Sequence, residues 1–301
     1  MNAIPSSFLP RTLSTAFLWL MIIVAYVLRS EVAFIILISF PALGALWEYF
    51  ALLKSGSIVH HRSIGMGAAL LLIGLNFWAL PSIVISANDV LKGRDIFHVE
   101  AAIFALLTIT LLLRELGSSF PGRATADSIV YTLFGVVYIP WLFLFMAKLL
   151  YFTPRDVHGF LTGQYLVLFV VAVTKFTDVG AFLCGSLFGR TPFFPNISPK
   201  KTWEGIAGAL VLGVLAGVGI FYFFGHHLPH LSLALICGLS LLLGIAGIAG
   251  DLAESILKRS LDTKDSGHAL PGIGGGLDLI DSLLFTLPLF YFLLPFLPSY
   301  P

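Results

Sequence analysis

The segment from Asp251 to Asp281, DLAESILKRSLDTKDSGHALPGIGGGLDLID, gathers six carboxylates, three basic side chains and a glycine-rich turn into 31 residues of an otherwise apolar chain. Asp251, Glu254 and Lys258 fall at i, i+3 and i+7, on one face of a helix. Asp278 and Asp281 repeat the i, i+3 spacing where the next apolar run begins. Between them Lys258-Arg259 and Lys264-Asp265 bracket a polar turn, and Pro271-Gly272 with Gly274-Gly275-Gly276 break the chain and let backbone approach a ligand closely. Two carboxylates one turn apart suit a hard cation; Mg²⁺ binds through one or two carboxylates plus substrate phosphates. Basic neighbours keep such phosphates from being repelled. A single Asp pair suits a solvated connector with capping acids better, but the whole constellation favours a site.

Two upstream elements have matching chemistry. Lys175 and Asp178 are three apart on one helical face. A charge at mid-bilayer costs about 2.5–3.5 kcal/mol on insertion scales, so the pair is either a neutralised structural bridge or the wall of a site. Residues 185–205, GSLFGRTPFFPNISPKKTWEG, contain Gly185, Gly189, Pro192, Pro195 and Pro199, which forbid a continuous helix. Arg190, Lys200 and Lys201 supply positive charge there. Ser198 or Thr202 could cap a helix starting near Trp203, whose N-terminus favours anions. The stretch suits phosphates; it also suits an ordinary basic loop.

The elements that must position these residues are membrane helices. Hydrophobic residues make up 58% of the 301 and charged residues 11%, against about 25% charged in soluble domains. With about 20 apolar residues per span, the chain is an all-α, polytopic integral membrane protein of about nine helices. Hydropathy places them near 12–28, 32–53, 64–86, 98–113, 128–149, 160–177, 203–225, 231–250 and 280–298. Arg11 ahead of the first apolar run resembles a signal peptide, but a second run follows after Arg29, Ser30 and Glu31 without a cleavage site, so a retained helical hairpin is expected.

Alternate connections carry unequal charge. Arg11, Lys54, Arg62, Arg114, Arg123, Arg190, Lys200, Lys201, Lys258, Arg259 and Lys264 fall on one side, and Arg29, Lys92, Arg94, Lys148 and Arg155 on the other. The richer side is expected to be cytoplasmic, which puts both polar segments, 178–202 and 251–279, where nucleotides are found. Residues 1–150 then form an N-terminal group of about five spans and 151–301 a catalytic transmembrane domain. In the first half Glu48 reads as a solvated interfacial residue and His60-His61 as a wet loop. Cys184 and Cys237 read as buried free thiols, and a net charge of +1 with no basic arm or stripe gives no case for a nucleic-acid partner.

The stretch from Ser255 to Asp281, SILKRSLDTKDSGHALPGIGGGLDLID, resembles the signature of the phosphatidate cytidylyltransferases (CDP-diacylglycerol synthases). Ser255, Lys258, Arg259, Lys264, Asp265, Gly267, Pro271, Gly274, Gly275, Asp278 and Asp281 fall in register, and Thr177 to Gly205 and Gly250 to Ser255 also look like that family. The resemblance covers about 130 residues in detail. It implies transfer of a cytidylyl group from CTP to phosphatidic acid in the membrane, with Mg²⁺ as cofactor. It implies metal ligation by Asp278 and Asp281 first, then Asp251 and Asp178. Lys258, Lys264 and Asp265 join the two aspartates as catalytic residues. Lys200, Lys201, Ser198, Arg259, Arg190, Gly274 and Gly275 would bind substrate. A homodimer is left open.

Ile273, Gly276 and Leu279 depart from the signature, which has His, a hydrophobic residue and Arg there; His268 is a candidate to compensate. Without that Arg, a CTP-dependent polyprenol or dolichol kinase is the alternative enzyme. A secondary transporter is the alternative from another class, but its charges would lie near the midplane in two related halves, whereas here they cluster in one half.

Overall fold

The computed structural model describes residues 22–84, 93–117, 122–153, 159–195, 197–228, 231–261 and 275–297. Among them eight helices are long and apolar enough to cross a membrane. The chain is an all-α polytopic membrane protein. Most of the expected first span, 12–28, lies outside the described residues; 22–28 are helical. Many large apolar side chains point outward, Phe40 (78% exposed), Trp78 (75%) and Tyr222 (84%) among them, which a bilayer accommodates and water would not.

The helices form two compact units, residues 1–147 with 261–280, and residues 148–260 with 281–301. In the first unit, α1 (Glu31–Ser55), α2 (Arg62–Val84), α3 (Gly93–Leu116) and α4 (Arg123–Val136) pack on one another. α4 continues through a π-helical turn at Val137–Trp141 that contains Pro140. Proline lacks the N–H that the α ladder needs, and a wide turn absorbs that loss. The short α5 (Phe145–Leu150) follows.

This half is not chemically quiet. The Glu100 carboxylate is 2% exposed and accepts from Asn76 Nδ2 at 3.0 Å and Trp141 Nε1 at 2.8 Å. Trp141 therefore serves an interior polar group. The paired histidines are not a wet loop: His61 Nε2 lies 2.5 Å from Glu115 Oε1, Ser128 Oγ donates to the same carboxylate at 3.0 Å, and His60 stacks on Phe50. Glu48 is 8% exposed and not solvated. The partners of Glu100 and His61 lie on other helices.

The second unit holds α6 (Gln164–Phe188), a hairpin of β1 (Pro192–Phe194) and β2 (Ser198–Thr202), α7 (Trp203–Phe224), α8 (Leu233–Ser260) and the later part of α9 (Gly276–Leu293). α6 and α7 touch backbone to backbone. A Cβ at Gly180 would lie 2.5 Å from the Gly208 carbonyl oxygen, and one at Gly208 would collide with Cys184. The polar segment expected at 178–202 is in fact helical to Phe188. Hydropathy falls at the first charges, while the backbone hydrogen-bond ladder runs on. α8 behaves likewise. Its apolar stretch to Gly250 spans about 27 Å at 1.5 Å per residue, near the hydrocarbon thickness of about 30 Å. Its last ten residues, Asp251 to Ser260, carry the charges beyond it.

Candidate active site

Helical spacing puts Asp251 and Glu254 on one face of α8, and tight packing brings α9 to that face. A Cβ at Gly250 would lie 2.7 Å from the Asp281 carbonyl oxygen and 3.0 Å from Ser282 Cα. With only hydrogen there, the helices close, and single carboxylate oxygens of Asp251, Glu254 and Asp281 come within 4.8 Å of one another. Glu254 is 1% and Asp281 5% exposed.

Three lysines surround the acids. Lys201 Nζ lies 2.8 Å from Asp251 Oδ2, Lys258 Nζ 3.2 Å from Glu254 Oε2, and Lys175 Nζ 3.0 Å from Asp178 Oδ2. Asp178 joins the cluster indirectly: its Oδ1 accepts from Ser282 Oγ at 3.2 Å, and Ser282 N donates to Asp281 Oδ1 at 2.6 Å. Four carboxylates against three ammonium groups leave one formal negative charge. Glu254 and Asp281 are the buried members, and buried carboxylates are paired, neutralised or bound to a cation.

The hairpin aims Lys201. Thr202, and not Ser198, caps α7 by accepting from Gly205 N at 3.2 Å. Glu204 Oε2 accepts from the backbone N–H of Arg190 at 3.1 Å and of Thr191 at 3.3 Å, and Trp203 N donates to Thr191 O at 3.0 Å. The glycines and prolines of the segment mark this turn, but strand pairing between Pro192 and Thr202 has no alternating pattern to announce it. Lys200, Arg190 and Arg259 are exposed nearby in sequence, and Ser198 starts β2.

The expected site residues thus divide. Asp251, Asp281, Lys201 and Lys258 come together, with Asp178 linked through Ser282. Asp278 has a local role: its Oδ2 accepts from Gly275 N at 2.8 Å. Lys264, Asp265 and Gly274 lie outside the described residues. Glu254 is the addition. Sequence reasoning put it on the Asp251 face without a ligand role, and that i, i+3 spacing was the available signal. Three carboxylate oxygens within 4.8 Å of one another are the donor type and proximity that a hard divalent cation takes.

The model of the cytidylyltransferase family matches residues 10–297. The chain belongs to that family. Among curated members it is 35% identical to a phosphatidate cytidylyltransferase of Bacillus subtilis (strain 168) over 207 residues, 67% of this chain and 70% of that one. It is 34% identical to the enzyme of the same name from Staphylococcus haemolyticus (strain JCSC1435) over 222 residues, 72% and 78% of the two chains. The same name is borne by a Staphylococcus aureus (strain COL) protein, 31% identical over 284 residues, 94% of this chain and 98% of that one. The cytidylyltransferase match thus extends across both units, although the acid–lysine cluster lies in one.

Proposed function

We propose that this protein is a membrane-embedded nucleotidyltransferase that moves the cytidylyl group of CTP onto the phosphate of phosphatidic acid, giving CDP-diacylglycerol and pyrophosphate. The observation that carries the reading is the trio Asp251, Glu254 and Asp281 ringed by Lys201, Lys258 and Lys175, in a chain whose full-length relatives bear that enzyme's name. A phosphate oxygen of the lipid attacks the α-phosphorus of CTP. A new P–O bond forms, the bond from the α-phosphorus to the bridging oxygen breaks, and pyrophosphate leaves with that electron pair. Such transfer needs positioning and charge neutralisation more than a covalent nucleophile. Phosphatidate is already ionised near neutral pH, so no general base is required.

Asp251, Glu254 and Asp281 would hold Mg²⁺. Bound there, the ion supplies charge neutralisation for the phosphates and converts one net negative charge into one net positive. Lys201 on the hairpin and Lys258 on α8 would bind phosphate oxygens. Lys175 stays with Asp178, whose other oxygen orients Ser282 against Asp281. Arg190, Lys200 and Arg259, exposed near the cluster in sequence, would add positive charge for the substrate phosphates. Membrane helices on either side accept acyl chains. We take the site to face the cytoplasm, in keeping with the eleven-to-five distribution of basic residues.

The test uses purified protein in detergent with Mg²⁺, phosphatidic acid, and CTP labelled on the α- or γ-phosphate. Lipid labelled from the α-position, with labelled pyrophosphate released, is expected. Label from the γ-position entering a polyprenol would mean a kinase and sink the reading.

A further inference from the structure

The first half of the chain sends one buried carboxylate to the start of α9. Glu48, on α1, belongs to the same compact unit as residues 261–280. Its Oε2 accepts from Leu277 N at 3.1 Å, across 229 positions of sequence. Helix N-termini leave backbone N–H groups without intrahelical acceptors and favour negative charge. α9 starts at Gly276, after Gly275, which has no side chain to offer. Asp278, at the third helical position, reaches back to Gly275 N, which is one half of a capping box. The other half requires a side-chain oxygen on the residue before the helix, and glycine cannot provide it. Glu48 provides it from another helix.

The backbones also meet. A Cβ at Gly276 would lie 3.4 Å from Ala45 N and 3.6 Å from Gly44 C. The absence of a hydrophobic side chain at Gly276, one departure from the family signature, therefore coincides with the point where α1 seats the helix. Glu48 Oε1 is buried with no hydrogen-bond partner. A half-satisfied buried carboxylate is a poor choice for packing alone, since an apolar residue of similar size fills space without desolvating a charge.

We propose that Glu48 is a positioning residue for the reaction: its carboxylate completes the cap of α9 and so fixes the first turn of the helix that carries Asp278 and, three residues on, Asp281. The inference rests on the cytidylyl-transfer reading. Its test compares full-length wild type with Glu48→Gln, Glu48→Asp and Glu48→Leu in detergent. Two quantities are read, steady-state kcat and KM for CTP and amide hydrogen exchange over residues 275–285. Glu48→Gln keeps an oxygen at the same reach, and its kcat is expected within about threefold of wild type. Glu48→Asp keeps the charge one methylene short; it and Glu48→Leu should lose about 100-fold in kcat, the scale of a misplacement near 1 Å, with little change in KM. Exchange over 275–285 should accelerate in those two alone. If Glu48→Leu does not fold, the Gln and Asp variants decide. Glu48→Asp with wild-type kcat and exchange, or Glu48→Gln as impaired as Glu48→Asp, overturns the proposal. A wild type without cytidylyl transfer would remove the reading beneath it, while the exchange pattern would still decide whether Glu48 holds the helix.

Discussion

Gly250 and Asp281 meet at the backbone: the α-hydrogen face of one lies where a methyl group would come 2.7 Å from the carbonyl oxygen of the other. That contact sets the closest approach of the helix carrying Asp251 and Glu254 to the one carrying Asp281. Gly250→Ala is therefore expected to push the helices apart, because a backbone oxygen cannot swing away as a flexible side chain would. Over-packing of this kind destabilises by about 1–3 kcal/mol. Thermal unfolding in detergent should register that loss, and metal affinity should fall in the same variant while α6–α7 packing is untouched. Unchanged metal affinity would mean that the three carboxylates do not act together.

Asp281→Asn, Asp251→Asn and Glu254→Gln each remove one negative oxygen from the trio. Changes in groups that merely orient a metal ligand lower affinity about 10–100-fold, so loss of a ligand should exceed that. Asp278→Asn should be milder, because an amide oxygen still accepts from Gly275 N. Binding of Mn²⁺ as a spectroscopic substitute, measured by electron paramagnetic resonance, separates the two classes. Equal loss in Asp278→Asn and Asp281→Asn would instead give Asp278 a place among the ligands.

The contrast between those aspartates shows what sequence spacing can and cannot deliver. The i, i+3 rule puts Asp251 with Glu254, and Lys175 with Asp178, because the helix itself fixes those distances. The same rule pairs Asp278 with Asp281, yet within the first turn a carboxylate has a competing use, the unsatisfied N–H of Gly275. The union of Asp281 with Asp251 depends on a glycine contact between two helices, which no local pattern encodes. Glu48 is an extreme case, its partner lying 229 residues away. Helix existence followed from apolar composition, while helix ends overran the hydropathy limits at Asp178 and Asp251, where charge appears but hydrogen bonding continues.

His61 and Glu115 offer a control in the unit that does not hold the acid–lysine cluster. They join the ends of α2 and α3, with Ser128 of α4 completing the link. His61→Leu leaves a largely buried carboxylate with fewer donors, a loss of about 1–3 kcal/mol. The melting temperature in detergent should drop, and kcat at a temperature where the variant is folded should stay near wild type. A large fall in kcat without a fall in melting temperature would give this cluster a functional role.

Lys201 stands between two anionic partners. Its ammonium group sits 2.8 Å from Asp251 Oδ2, an oxygen a divalent cation would also claim, and its place on β2 lets it serve a phosphate instead. On the proposed mechanism metal and lysine would compete for one carboxylate, and phosphate and carboxylate for one lysine. Asp251 is 40% exposed at its side chain, so solvent screening holds the pair to about 0.5–1 kcal/mol, or about two- to fivefold in an equilibrium constant. Lys201→Met should thus tighten Mn²⁺ binding by about that factor without nucleotide, yet raise the KM for CTP. The two effects have opposite signs, which a general loss of folding cannot produce. Weaker metal binding in Lys201→Met would show that the lysine supports Asp251 as a ligand and does not compete for it.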